Sequence, residues 1–313
     1  MVSLIGRRLL QLVPILFGIT LVAFFLLRLI PGSPALAIVG FRGTPETIAR
    51  VNAELGLDRP LPAQYALFLG RLARGDLGTS YVHGQPVADL VAEQIPPTIL
   101  LVAFATALSA LLAVPLALAA ALRRGSIVDH VIRMGAVLGV GLPGYWLGMV
   151  LLLLFAIALP IFPVGGYGEG PLDHLWHLFL PALTLAAGVV PVVLRSLRGS
   201  LLETLRSPHV AVARVKGLPE RAVILVHVFY NALIPAVTLL GVNAGWLVGG
   251  TIVVESLFGV PGLGMLLFRA IGSRDYPTVQ AAIMALVVLT VLIQLLTDLA
   301  HMLLDPRVRT SAR

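Results

Sequence analysis

The sequence contains no cysteine, and of its 22 basic residues only one, Lys216, is a lysine. Without a thiol the chain has no disulfide, no thiolate metal site, no iron–sulfur cluster and no cysteine nucleophile. Charge is scarce as well: Asp, Glu, Lys and Arg make up 12% of 313 residues, against roughly 25% in soluble domains. The motifs HExxH, GxSxG and the Walker A glycine loop are absent, so the chain carries no P-loop for ATP and no evident catalytic constellation. Hydrophobic residues fill 58% of the chain and mean hydropathy is +0.98. That balance excludes most soluble enzymes and DNA-binding modules. It also excludes disorder, which requires low hydrophobicity and high net charge. A formal charge of +7 and a pI near 10.5 would fit a nucleic-acid partner in a soluble domain. In a membrane chain the same charge belongs to loops on one side of the bilayer.

Long apolar runs are what the chain does have. A bilayer core about 30 Å thick takes roughly 20 apolar residues in a helix. Six stretches meet that length, at Leu9–Ile30, Thr98–Leu122, Met134–Leu159, Leu175–Leu194, Ala232–Val254 and Thr278–Leu304. Charge or proline closes them: Arg7-Arg8 precedes the first, Pro31 follows it, Pro96-Pro97 precede the second and Arg123-Arg124 end it. Pro160 ends the third and Asp305-Pro306 the sixth, while Pro181 and Pro191 interrupt the fourth. With the N-terminus inside, inner segments hold 14 basic residues and outer ones 7, five of these in one long loop. The acids run the other way, ten outside and four inside. The positive-inside rule therefore places both termini in the cytoplasm. Arg7-Arg8, an apolar run and Ala35-Leu36-Ala37 imitate a signal peptide, but a run of about 22 residues exceeds a signal core of 7–15. The first helix is expected to be retained.

These spans divide the chain into four parts: 1–30, an N-terminal segment with the first helix; 31–97, an external loop; 98–304, a five-helix core; and 305–313, a cytoplasmic tail. In the external loop Thr44-Pro45 provides an N-cap and a proline at the first helical position, and Gly56 a stop. A second short helix is expected near Gln64–Leu72, ended by Gly75 and Gly78. The inner loop 195–231 opens with Arg195, Arg198 and Arg206. Ser207-Pro208 then starts a helix over His209–Lys216, with Ala211, Ala213 and Arg214 inside it, and Gly217 stops it. Leu218-Pro219-Glu220 starts another, its carboxylate in the first turn where the macrodipole favours it. A short capped helix bearing Arg214 and Lys216 suits docking into a groove of a cytosolic partner. It suits equally an amphipathic helix lying on anionic lipid.

Several strings, in order and at matching spacing, resemble the dipeptide/oligopeptide family of ABC-importer permeases. They are Leu29-Ile30-Pro31-Gly32-Ser33-Pro34, Leu55-Gly56-Leu57-Asp58, Pro62-x-Gln64-Tyr65 and Gly75-Asp76-Leu77-Gly78-Thr79-Ser80. Later come Ala213-Arg214-Val215-Lys216-Gly217-Leu218, His227, Asn231 and Pro235. Near the C-terminus stand Glu255-Ser256-Leu257-Phe258, Pro261-Gly262-x-Gly264, Asp275-Tyr276-Pro277 and Asp305-Pro306-Arg307. The resemblance implies an all-α integral membrane protein with six transmembrane helices and the type I ABC-importer permease architecture. It implies a bacterial-type inner membrane, a second homologous permease, two ABC ATPase subunits that use the ATP, and an external substrate-binding protein. No cofactor bound by this chain and no nucleic acid are expected. It identifies the inner loop with the family's coupling loop, assigning ATPase coupling to Ser207, Pro208, His209, Ala211, Ala213, Arg214, Lys216 and Gly217. Ala211 stands where many importers carry Glu, which leaves Arg214 and Lys216 as the polar contacts. The implied cargo is a di- or oligopeptide, with nickel chelates, glutathione and oligosaccharides as alternatives within the same family.

Other polar residues admit two readings each. His174 and His177 have the i, i+3 spacing of two metal ligands, with only Asp173 near as a third. They are equally interfacial anchors, and no metal site is assigned. Asp298 and His301 form either a structural pair or a proton relay. Asn243 lies midway along the fifth span and should face protein, as part of the path or of an interhelical hydrogen bond. Glu255, after that span, is a candidate for the mouth or gate. Gly241, Gly245 and Gly249 recur every fourth residue, as do Gly135/Gly139 and Gly144/Gly148, which lets helix backbones approach closely within the chain or between subunits. An ion-coupled secondary transporter is the competing class. It would show inverted repeats and midplane ions, and no such repeat is evident.

Overall fold

The computed structural model describes residues 14–25, 44–54 and 56–304, with the single residues 10, 35 and 39. Arg7, Arg8, Pro31 and the tail 305–313 lie outside the described residues, as does the Leu29–Pro34 string. Described secondary structure is almost entirely helical. Among the described residues no strand forms, and Thr79 and Pro86 make a single antiparallel bridge. The helices are α1 (Pro14–Phe25), α2 (Pro45–Glu54), α3 (Leu61–Leu72), α4 (Val87–Leu122), α5 (Ile127–Gly141) and α6 (Gly144–Leu151). They continue with α7 (Pro171–Leu205), α8 (Pro208–Val215), α9 (Tyr230–Phe258), α10 (Leu263–Gly272) and α11 (Tyr276–Leu304). Two π-helical stretches occur, Leu152–Ala158 extending α6 and Val223–Phe229 leading into α9.

Among the described residues four helices are long and apolar enough to cross a membrane, within α4, α7, α9 and α11, and α5 with α6 and its π extension, bent by 106°, adds a fifth if the pair is one span. Of the expected first span, only the apolar α1 is described. Prolines behave differently from the sequence reading. Pro96-Pro97 lie inside α4, which starts a further turn and more upstream, at Val87. Pro181 and Pro191 both sit within a continuous α7. A membrane helix tolerates such prolines where neighbouring groups satisfy the freed carbonyls, which here are those of Ala92, Glu93, His177 and Ala187. Pro143, in contrast, marks a true break. It offers no N–H to the Gly139 carbonyl, and the ladder resumes only when Leu147 donates to the Pro143 carbonyl.

The chain divides into two compact units: Met1–Ile99 with Pro261–Val291, and Leu100–Val260 with Leu292–Arg313. In the first unit α1 is held to α3 by aromatic packing. Phe24 meets Tyr65 edge-on at 5.0 Å and Phe68 at 6.2 Å, and the hydroxyls of Thr20 and Tyr65 lie 3.0 Å apart. The expected cap at Thr44 forms, its hydroxyl accepting from the Thr47 N–H at 3.2 Å. Two of the motif strings meet at Asp275, which is buried. Its carboxylate accepts from the Ser80 hydroxyl, from the Tyr81 N–H at 3.0 Å and from the Thr278 hydroxyl at 2.7 Å. The buried Thr98 hydroxyl accepts from the Leu263 N–H at the start of α10.

In the second unit α7 is the central element, and α5, α6 and α9 pack on it. Leu180, Ala182, Ala186, Val193 and Leu197 of α7 are fully or almost fully buried. Small residues set the approach distances. A Cβ on Gly148 would collide with Leu257, and one on Gly139 would press on Pro191. At the end of α7 and the start of α5 the contact turns ionic: buried Asp129 takes two hydrogen bonds from Arg198. The Ser126 hydroxyl caps α5 at the Asp129 N–H.

Candidate functional site

The inner loop is more helical than its sequence indicates. α7 runs on to Leu205, so Arg195 and Arg198 are helical residues, and Arg198 serves Asp129 rather than a loop surface. α8 then begins at Pro208, with Ser207 in extended geometry as the N-cap residue. The Ser207 hydroxyl does not cap α8. It donates back to the Thr204 carbonyl at 2.6 Å and lies 3.3 Å from His209 Nε2. The stop is as expected: Gly217 adopts φ +77°, the left-handed region that an L side chain enters at a cost. Val210 and Ala213 are buried, whereas Val212 and Val215 are exposed, Val215 by 88%. The eight residues of α8 thus anchor one face and present the other.

Arg214 does not stand alone on that helix. It forms a two-pronged pair with Glu220, Nη2 to Oε1 at 2.6 Å and Nε to Oε2 at 3.2 Å. The hydrogen bond from Arg214, and then its charge, hold Glu220 below the ordinary carboxylate value; the same bond raises Arg214. This pair closes the turn Lys216–Pro219 between α8 and the segment leading to α9. That segment is a short helical turn, Glu220–Ala222, followed by the π stretch, so the second expected helix is the foot of α9 rather than a separate element.

Along α9, Asn243 is half-buried, and its amide donates to the Leu239 carbonyl one turn back, within its own helix. Glu255 is completely buried, and its carbonyl receives the Val260 N–H beyond a left-handed cap at Gly259. A Cβ on Gly241 would collide with Thr297 of α11; Gly245 is buried; Gly249 faces open space. Beside the α5–α6 break lies a cavity of about 370 Å³, bordered by Gly139, Leu142, Gly144, Thr184, Gly188 and Val253, among others.

His174 and His177 are engaged locally. His174 Nδ1 lies 2.7 Å from the Tyr167 carbonyl and its ring stacks on Tyr167 at 3.9 Å. Burial pushes the Tyr167 phenol up. His177 Nδ1 lies 3.0 Å from the Asp173 carbonyl and 3.2 Å from its carboxylate. Among the described residues no three His, Cys, Asp or Glu side chains are grouped to hold a metal ion. Asp298 lies on α11, and the His301 side chain is outside the described residues. Asp129 was not singled out from sequence, and Ser80 and Asp275 stood there only within motif strings, not as partners. Each owes its role to a partner remote in the chain.

The chain is similar along its length to known transport proteins. A family model for the binding-protein-dependent transport system inner membrane component matches residues 113–310, and its N-terminal companion matches 1–102. A Brucella abortus protein named as a peptide transport system permease is 38% identical over 312 residues, covering 99% of both chains. The dipeptide transport system permease protein DppB of Alkalihalophilus pseudofirmus is 35% identical over 326 residues, covering 97% of this chain and 98% of that one. In fold, a chain of the inward-facing MetNI methionine ABC transporter superposes with a TM-score of 0.57 at 17% identity. It covers 69% of this chain and 96% of that one. With a helical membrane fold of that type and two family models spanning its length, the chain belongs to the binding-protein-dependent transport system inner membrane component family.

Proposed function

We propose that the chain is one of two permease subunits of an ATP-driven importer of di- or oligopeptides, contributing half of the translocation pathway. The peptide cargo is supported by relatives at 35–38% identity that are named for peptide or dipeptide transport. Two ATPase subunits, a second homologous permease and an external binding protein complete the complex, and the ATP is used by the ATPases. The basic excess of the segments taken as inner supports cytoplasmic termini and an external Pro31–Pro97 loop. In this reading residues 1–30 carry the first helix, 31–97 the external cap, 98–304 the core and 305–313 the tail.

The observation that carries the reading is α8: a short helix stopped at Gly217 and anchored by Val210 and Ala213, with Val212 and Val215 outward and Arg214 and Lys216 at its C-terminal end. It is the coupling helix, seated in a cleft of the ATPase and comprising Ser207, Pro208, His209, Ala211, Ala213, Arg214, Lys216 and Gly217. Closure of the ATPase pair pulls α8. The π stretch and α9 move with it, exchanging an inward-open for an outward-open cavity by rigid-body switching. Asn243 and Glu255 on α9 are assigned to the path and its gate, and Gly241, Gly245 and Gly249 to helix packing.

The test is Gly217→Val in the assembled complex. A valine forced to φ near +77° opens the α8 stop. ATP hydrolysis is expected to persist while peptide uptake falls at least tenfold, with membrane insertion unchanged. Normal coupled uptake would refute the assignment of this loop.

A further inference from the structure

The first unit encloses a cavity of about 80 Å³ that none of the assignments above uses. Its floor is apolar, with Phe68 and Pro277 among its walls; its polar lining includes Gln64, Arg71, Asp76 and Gln280. Most of these are already engaged. The Gln64 amide donates to the Leu57 and Arg59 carbonyls at 3.1 and 2.8 Å, and Asp76 accepts from the Gly78 N–H at 2.8 Å. Gln280 is different. Its side chain stands on the first turns of α11 with only 8% of the residue exposed, and among the described residues nothing bonds its carboxamide.

A buried side chain whose carboxamide faces a half-open cavity without a protein partner bonds whatever occupies that cavity, water or a guest. The guest's chemistry follows from the lining. A carboxamide presents one acceptor and two donors side by side, the complement of a peptide group with its N–H and C=O. Arg71 and Asp76, both in the lining, carry opposite charges, so neither an anion nor a cation is favoured over a neutral polar group. The volume exceeds the roughly 30 Å³ share of a single water and suits one residue of an extended chain rather than a whole ligand.

We propose that this cavity is a subsite for the main chain of a substrate peptide, held by two hydrogen bonds to the carboxamide of Gln280. The proposal rests on the peptide-importer reading, which places the cap outside. Because Gln280 addresses the backbone, the subsite accepts peptides irrespective of side chain.

The chain's lack of cysteine makes the test direct. Asp58→Cys, next to the lining residue Leu57, takes an environment-sensitive fluorophore in the assembled complex in nanodiscs, without binding protein. A complex lacking the introduced cysteine supplies the background. Trialanine is expected to give a saturable change. Its analogue with the central amide replaced by an ester should bind at least tenfold more weakly, and Gln280→Leu should lose that discrimination. Gln280→Met, with an unchanged melting temperature as the check on folding, should do the same. Equal affinity for amide and ester, or undiminished discrimination in both variants, would overturn the proposal. ATP-driven uptake is read in parallel, in proteoliposomes of the same complex supplied with the binding protein. Uptake without a fluorescence response sinks the subsite and spares the importer reading, whereas absent uptake in the unmodified complex sinks the importer reading itself.

Discussion

The guanidinium of Arg198 reaches across 69 residues of sequence to donate two hydrogen bonds, each of 2.8 Å, to the carboxylate of Asp129. Asp129 also accepts from the Gly125 N–H at 3.1 Å and lies 3.4 Å from Arg133 Nε. One buried carboxylate therefore ties the α4–α5 turn, the start of α5 and the inner part of α7 together.

Removing one partner should be worse than removing both. Arg198→Leu leaves Asp129 buried without its main counter-charge, which costs about 3–5 kcal/mol. Asp129→Leu combined with Arg198→Leu should recover part of that loss, the remainder reflecting the Gly125 N–H left without its acceptor. Denaturant unfolding of the purified chain measures both. A double variant less stable than the Arg198 single would contradict this account.

The Arg214–Glu220 pair sets a pH dependence with a definite sign. Glu220 is held below its ordinary value of 4.5 by Arg214, so the pair is complete above 4.5 and opens as pH falls through the lowered value. Both groups are exposed and the stability at stake is small, so the readout is local. Carbon NMR of a Glu220-labelled protein should give a midpoint below 4.5, moving up to the ordinary range in Arg214→Ala. A midpoint unmoved by that substitution would dissolve the pair.

Two glycines on one face pattern should respond in opposite directions. Gly241→Ala drives a methyl into Thr297, an overpacking cost of about 1–3 kcal/mol. Gly249→Ala meets nothing within 4 Å and gains up to about 1 kcal/mol of helix propensity. Melting temperatures of the two variants should straddle that of the parent chain. Equal destabilisation would mean that the four-residue spacing, rather than the local contact, governs.

These comparisons show what the sequence could and could not tell. Signals that act within a few residues were legible: the Thr44-Pro45 start and the Gly217 stop fall where local chemistry puts them, and α8 starts at Pro208 although the Ser207 hydroxyl turns back to Thr204 instead of capping it. So were most apolar runs, since helix length against bilayer thickness needs no partner. Asp129–Arg198 and Asp275–Ser80 were not legible, because each is made by residues brought together only by packing. Hydropathy marks Met134–Leu159 as one span because it is blind to direction. Its Gly141-Leu142-Pro143-Gly144 string held the signal for a break. The same residue type misled elsewhere: Pro96-Pro97 read as a boundary, yet α4 passes through them, as α7 passes through Pro181 and Pro191.

The length of α4 has a bearing on recognition outside the bilayer. Its 36 residues measure about 54 Å, well beyond a hydrocarbon core of about 30 Å. The surplus lies at the Val87 end, where Asp89, Glu93 and Gln94 precede the apolar run and about 11 residues extend roughly 16 Å. At physiological ionic strength fields decay over about 8 Å. With a headgroup layer of about 5–7 Å on each side, the tip of α4 stands about one decay length beyond the headgroups, so the arrival rate of a protein meeting it should depend only weakly on the anionic lipid content of the membrane.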